Sequence, residues 1–250
     1  MPSSIPLGST VIRFDSIDST NKSALLAAAQ GASEGTVFIA ESQTQGKGRR
    51  SNTWYSPPGM GLYFSILLRP TTEISKANFL VLQSAVAACM AIEELSNSSV
   101  GIKWPNDIYM NGKKLGGILL ETGISGETFQ HAVIGIGINL NHSYSEYPEE
   151  LRAKAISIKE VTGKEVNGEA LMNRIISIFD DFYSNRVKCS INMWESRCIH
   201  SNQDVSVTIN GEVLRGIFGK VSSDLSFQLQ EQSGKIHNIQ YGEISLDMEE

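Results

Sequence analysis

Cysteine and histidine are scarce: 250 residues hold three of the first and four of the second. Cys89, Cys189 and Cys198 form an odd set without metal-ligand or redox spacing, and the histidines never pair at helical spacing. Structural zinc is thereby excluded and a reducing compartment, the cytoplasm, is expected. Net positive charge is lacking too; the formal charge of −6 argues against general nucleic-acid binding. No run is expected to supply the roughly 20 apolar residues that a membrane helix needs. At the N-terminus, Met1-Pro2-Ser3-Ser4-Ile5-Pro6 has no basic run followed by an apolar one, so no secretory signal is expected. Internal repeats, low-complexity tracts and long linkers are absent as well.

What is present reads as an α/β chain in two parts. Asp18-Ser19-Thr20-Asn21 supplies caps ahead of an alanine- and leucine-rich helix over Lys22 to Gln30, which stops at Gly31. Short β-rich runs at Val11 to Phe14, Val37 to Ala40 and Leu62 to Leu68 predict strands, and Lys76 to Leu95 predicts one long core helix. Further strands are expected at Ile102-Lys103-Trp104, Leu115 to Glu121 and Ala132 to Leu140, with a tight turn at Met110-Asn111-Gly112. Leu171, Ile175, Phe179 and Phe182 mark another amphipathic helix. Beyond Trp194 the pattern becomes short alternating strands with turns at Asn210-Gly211 and Ser233-Gly234, a small β-barrel or sandwich. The expected division is a mixed-sheet α/β domain over 1–198 and a β domain over 199–250.

Two stretches carry chemistry. In Gly46-Lys47-Gly48-Arg49-Arg50-Ser51, glycines allow close backbone approach and three cations can neutralise phosphate or carboxylate oxygens, although a solvated basic loop fits the same string. It is not a Walker loop, which needs wider glycine spacing and Ser or Thr after the lysine; nor does Gly135-Ile136-Gly137 complete a dinucleotide fingerprint. In the second stretch, Lys103-Trp104-Pro105-Asn106-Asp107 is followed by Lys113-Lys114-Leu115-Gly116-Gly117. The Asn-Asp pair alone is ordinary turn chemistry. Together with a lysine and a glycine pair at short range, it suits cations, an acyl phosphate and an incoming nucleophile.

These two stretches, with Asp18-Ser19-Thr20-Asn21 before and Gly135-Ile136-Gly137-Ile138-Asn139 after, resemble the biotin protein ligase family over roughly residues 12 to 141. The resemblance implies a catalytic domain like that of class II aminoacyl-tRNA synthetases, plus a C-terminal SH3-like β-barrel. It implies two half-reactions: biotin and ATP give biotinyl-5′-AMP and pyrophosphate, using Mg²⁺, and a lysine of a biotin carboxyl carrier domain of a biotin-dependent carboxylase then displaces AMP. By the same resemblance Ser19, Thr20, Asn21 and Gln43 line the biotin site. Gly46, Lys47, Gly48, Arg49 and Arg50 form the loop over the adenylate, with Arg49 stabilising α-phosphate charge. Lys114 stands near the biotin carboxylate, with Gly116 and Gly117 beside it. Asn106 and Asp107 bind metal or handle the attacking lysine, Asn139 lies near the adenine, and Trp54 packs on the nucleotide; Gly135 and Gly137 let a ligand approach their strand closely.

Lys47 and Ser51 depart from the family's usual Gly-Arg-Gly-Arg-Arg-Gly, and lysine lacks arginine's bidentate fork. A related lipoate or octanoate protein transferase and a non-catalytic biotin or nucleotide sensor remain alternatives, and the C-terminal barrel could serve as a docking module. Only about 11 residues precede the first strand, so no DNA-binding domain and no operator binding are expected. No membrane association is expected; a homodimer is allowed.

Overall fold

The computed structural model describes residues 6–126, 128–222 and 224–246. Met1 to Ile5, on which much of the leader argument rests, lie outside them. The first half builds strands β1 (Thr10–Phe14), β2 (Thr36–Ala40) and β3 (Gly61–Leu68) around helix α1 (Thr20–Ala29). Helix α2 (Ala77–Ser96) leads into β4 (Gly101–Lys103), β5 (Asp107–Met110), β6 (Lys113–Ser125) and β7 (Thr128–Asn139). Short helices α3 (Glu149–Arg152) and α4 (Ile158–Thr162) precede α5 (Gly168–Tyr183) and α6 (Ile191–Glu195). The chain ends in β8 (Asp204–Ile209), β9 (Glu212–Val221), β10 (Phe227–Gln230), β11 (Ile236–Ile239) and β12 (Glu243–Leu246).

Seven strands form one mixed sheet in the order β1-β2-β3-β7-β6-β5-β4, parallel only between β1 and β2. Strand alternation gives this sheet two unlike faces. Leu62, Phe64, Ile66 and Leu68 of β3 and Ile134, Ile136 and Ile138 of β7 share the main core with α2 and α5. The opposite face carries Leu67 and Val133, which pack on Ala24 and Ala28 of α1. Further along that second face, register sets Ser65 against Gly135 and Tyr63 against Gly137. Across β6 the same register adds Leu119 opposite Gly135 and Glu121 opposite Val133. Small residues there hollow out a floor where the other face is filled by isoleucine and leucine.

Helix α2 corrects one expectation. Ile74–Ser96 is long and apolar enough to cross a membrane, with mean hydropathy 1.5, but 67 % of its window is buried inside the protein. Its apolarity serves the sheet and α5, whose Leu171, Ile175, Phe179 and Phe182 are buried at helical spacing. A second difference lies at β5. The turn-forming Pro105-Asn106-Asp107 hides a strand of four residues, which pairs with β6 around the turn at Asn111 and Gly112. Both turn residues adopt positive φ, 49° and 74°, as a tight hairpin requires.

The second sheet is wholly antiparallel, in the order β11-β10-β9-β8-β12. Its Val205, Val207, Phe218, Phe227 and Leu229 join the same hydrophobic cluster as the large sheet. Trp104, after β4, reaches across to this unit: its Nε1 donates to the Leu225 carbonyl at 2.6 Å and its ring meets Phe227 edge-on. The β unit is thus packed beside the second chemistry-bearing stretch of the sequence, and β12 comes to the rim of the site.

Candidate functional site

A cavity of about 300 Å³ opens on the glycine-bearing face of the large sheet. Ser19, Thr20 and Asn21 enter it from the start of α1, Gln43 from the segment after β2, and Gly117, Gly135 and Gly137 from β6 and β7. Ser19 occupies the N-cap position in an extended conformation, but its side chain makes no capping hydrogen bond. The capping role open to that hydroxyl is therefore not used. Thr20 and Asn21 are buried. Gln43 Oε1 accepts from the Thr20 backbone N–H at 2.9 Å, and Gln43 Nε2 donates to Ser56 Oγ at 3.0 Å.

The glycine-rich loop folds over this cavity as a small hairpin. Gly48 N donates to Asn52 O at 2.7 Å and Trp54 N to Gly46 O at 2.8 Å. Three cations tie the loop to three different elements. Lys47 reaches Glu121 on β6 at 3.1 Å, Arg49 donates to Asn106 Oδ1 at 3.0 Å, and Arg50 pairs with Glu243 on β12 at 2.8 Å. Arg50 adopts φ 52°, a left-handed conformation that a side chain enters at some cost. Behind the loop, Trp54 lies so close to β7 that a Cβ on residue 137 would come within 2.7 Å of its indole nitrogen. Glycine at 137 is therefore what admits the ring.

At the mouth, Lys114 Nζ lies 2.7 Å from Asp107 Oδ2 and 5.5 Å from the centre of the Trp54 ring. Burial presses the Arg49 pKa down from its ordinary value, partly offset by the Asp107 charge. Sequence patterning did not single out Lys103 as a site residue, yet it lines the same cavity. Burial lowers its pKa, Asp107 opposes that shift and Lys114 adds to it. Among the described residues five cations, Lys47, Arg49, Arg50, Lys103 and Lys114, thus line the cavity beside two carboxylates, Asp107 and Glu243. Such an arrangement neutralises an anion and favours a concentrated negative ligand such as a phosphate chain.

Most expected site residues meet here, with three exceptions. Gly46 lies behind the loop, where a Cβ would come 2.5 Å from Trp54 O, and Gly116 packs against the Gly137 carbonyl. Asn139 commits its amide to the Ile156 carbonyl at 3.1 Å and to Lys114 O at 3.5 Å, bracing the strand that carries Lys114. Its buried side chain lies outside the cavity lining. Reasoning from sequence also missed Glu121 and Glu243. The former is a single acid within an apolar strand, and the latter lies about two hundred residues beyond the loop it contacts.

The site is thus a mixed sheet with a glycine floor, covered by a basic loop. Residues 13–139 match the model of the biotin/lipoate A/B protein ligase family, and the chain belongs to that family. The bifunctional ligase/repressor BirA of Bacillus subtilis is 35 % identical over 210 residues, covering 82 % of this chain and 65 % of its own length. The chain therefore spans just under two thirds of that relative. The biotin–[acetyl-CoA-carboxylase] ligase of Paracoccus denitrificans is 28 % identical and is covered over 93 % of its length by 87 % of this chain. Among solved structures, the biotin protein ligase of Aquifex aeolicus in complex with biotin and ATP superposes with a TM-score of 0.79 at 28 % identity, covering 95 % of this chain and 98 % of that one.

Proposed function

We propose that this protein is an ATP-dependent biotin protein ligase, acting on a lysine of a biotin carboxyl carrier domain. The observation that carries the proposal is the meeting of two unlike subsites in one cavity: the polar Thr20, Asn21 and Gln43 pocket, and the Arg49, Lys103, Lys114 and Asp107 mouth. A ureido ring suits the first, and a carboxylate meeting a phosphate suits the second. The Aquifex protein, crystallised with biotin and ATP, has the same fold over nearly its whole length.

In the first half-reaction a biotin carboxylate oxygen bonds to the α-phosphorus while the bond from that phosphorus to pyrophosphate breaks. Two anions must meet, so Arg49 and Lys114 supply the charge that offsets their repulsion. In the second, the carrier's lysine nitrogen bonds to the acyl carbon, the acyl–phosphate bond breaks and AMP leaves. The attacking ammonium must first lose a proton, and Asp107 is the carboxylate placed to receive it. Asn106 holds Arg49 and is itself anchored through Nδ2 to Ile118 O at 2.5 Å.

Magnesium is expected with ATP. Among the described residues no group of three His, Cys, Asp or Glu side chains comes together. Asp107 is already paired to Lys114, so the residues fit an ion carried by the nucleotide's phosphates and water better than a resident one. Its chemistry would be to offset phosphate charge. The proposal is of a ligase without repressor activity, since a formal charge of −6 does not favour broad DNA contact.

The test is incubation with biotin, ATP, magnesium and a recombinant carrier domain, reading carrier mass. An ATP-dependent biotinyl mass gain is expected. A gain with lipoate in place of biotin would move the assignment to the lipoate branch of the family.

A further inference from the structure

Glu121 takes no part in either half-reaction, yet it touches both the loop and the pocket. Its Oε1 accepts from Lys47 Nζ at 3.1 Å, and its Oε2 accepts from Asn21 Nδ2 at 2.9 Å. Asn21 Oδ1 in turn lies 2.6 Å from Ser65 Oγ, and Ser65 Oγ lies 2.8 Å from Thr20 Oγ. Asn21, Ser65 and Thr20 are all buried. A Cβ at residue 135 would strike the Asn21 amide, so glycine there lets the amide sit on the floor of the cavity.

Proton counting gives this chain a direction. An ionised carboxylate only accepts, so Glu121 forces the NH₂ end of the Asn21 amide toward itself and the oxygen toward Ser65. Ser65 has one hydroxyl proton, and an amide oxygen can only accept, so that proton goes to Asn21. The short Ser65–Thr20 contact then requires the Thr20 proton, which leaves the longer 3.2 Å approach of Thr20 Oγ to Gln43 Oε1 without one. Gln43 Oε1 is already served by the Thr20 backbone N–H. Thr20 Oγ therefore faces the cavity with lone pairs only.

We infer that Glu121 is a positioning residue that sets the hydrogen-bond polarity of the ligand pocket through Asn21 and Ser65, selecting a ligand that presents N–H donors to Thr20. The inference rests on the biotin reading: a ureido ring offers such donors, and the dithiolane of lipoate offers none. Glu121 also contacts the loop through Lys47 Nζ, so one carboxylate touches both the pocket and its cover.

Calorimetric titration with biotin, together with initial rates for ATP, tests this. Glu121→Ala removes the acceptor and frees the amide to flip. Biotin affinity falls about ten-fold, the scale of one hydrogen bond lost in a buried site, while KM for ATP stays within about two-fold. Glu121→Gln keeps an acceptor oxygen for Asn21 but not the charge for Lys47, and recovers biotin affinity to within about three-fold of the parent. Ser65→Ala, which leaves the Glu121 charge in place, weakens biotin like Glu121→Ala and stands in for it should that variant not fold. Biotin affinity unchanged in both alanine variants overturns the inference, as does equal loss in Glu121→Gln and Glu121→Ala or a matching loss for ATP. Unmodified protein that binds lipoate and not biotin overturns the underlying reading instead.

Discussion

Lys114 Nζ and Asp107 Oδ2 lie 2.7 Å apart across the hairpin of β5 and β6, so a cation and a carboxylate of the site are joined in one ion pair. In the proposed ligase reaction, the two half-reactions would draw on opposite members of that pair. Lys114→Ala is expected to slow adenylate formation by about 100-fold or more, the usual cost of losing one charge-stabilising donor. Asp107→Asn should slow transfer from preformed biotinyl-AMP more than it slows adenylation. Rapid-quench single turnovers separate the steps, and normal adenylation by Lys114→Ala would remove that residue from the chemistry.

Arg49 is held by Asn106 at 3.0 Å in a partly desolvated position, where a planar guanidinium can keep one donor on the protein and turn others to a phosphate. Arg49→Lys keeps the charge and loses the fork. It should therefore resemble Arg49→Ala in adenylate retention, each releasing biotinyl-AMP at least about ten-fold faster than the parent. Release can be followed by chasing labelled adenylate with unlabelled biotin and ATP. Parental retention in Arg49→Lys would mean that charge alone suffices.

Contiguous blocks of the chain carry the legible part of the site. The glycine-rich loop and the blocks around Asp18 to Asn21, Asn106-Asp107 and Lys114 announce themselves by charge and glycine spacing, and the strands by apolar runs. Glu121 and Glu243 do not, because their importance comes from register and from a contact between the loop and the second sheet. Asn139 belongs to a recognisable block, and its amide also braces the backbone of its neighbours. Strand β5 is hidden because Pro105, Asn106 and Asp107 are turn formers whatever follows them. Helix α2 exceeds expectation in apolarity because both the sheet and α5 need its surface.

Gly137 is opposed by Trp54 so closely that an added methyl would meet the indole at 2.7 Å. Gly137→Ala must move either the ring or β7, and the ring is the softer element because it hangs from the loop. A global stability loss of about 1–3 kcal/mol is expected from the overpacking, measured by urea unfolding. Biotin-dependent activity should fall further than that loss explains, since Trp54 also stands under Lys114. A variant with parental Trp fluorescence and parental activity would show that the ring is not fixed by this contact.

His200 is fully buried, its ring 5.7 Å from Phe218, and neither ring nitrogen has a hydrogen-bond partner among the described residues. Burial, with Lys103 adding repulsion, presses its pKa down from 6.5 to about 4. His142, stacked on Tyr147 at 4.5 Å, is also lowered by burial, with Glu146 opposing. A depressed histidine stabilises the folded state while it is neutral in both states, above the unfolded value. As pH falls below about 6.5 the unfolded chain takes up the proton and the folded chain refuses it, so stability drains away until the folded pKa near 4 is reached. For His200 the full loss is on the order of 3 kcal/mol. Urea midpoints between pH 7.5 and 4 should fall steeply for the parent and less steeply for His200→Leu, which has no ring to protonate. Parallel pH profiles for the two proteins would show that acid acts elsewhere.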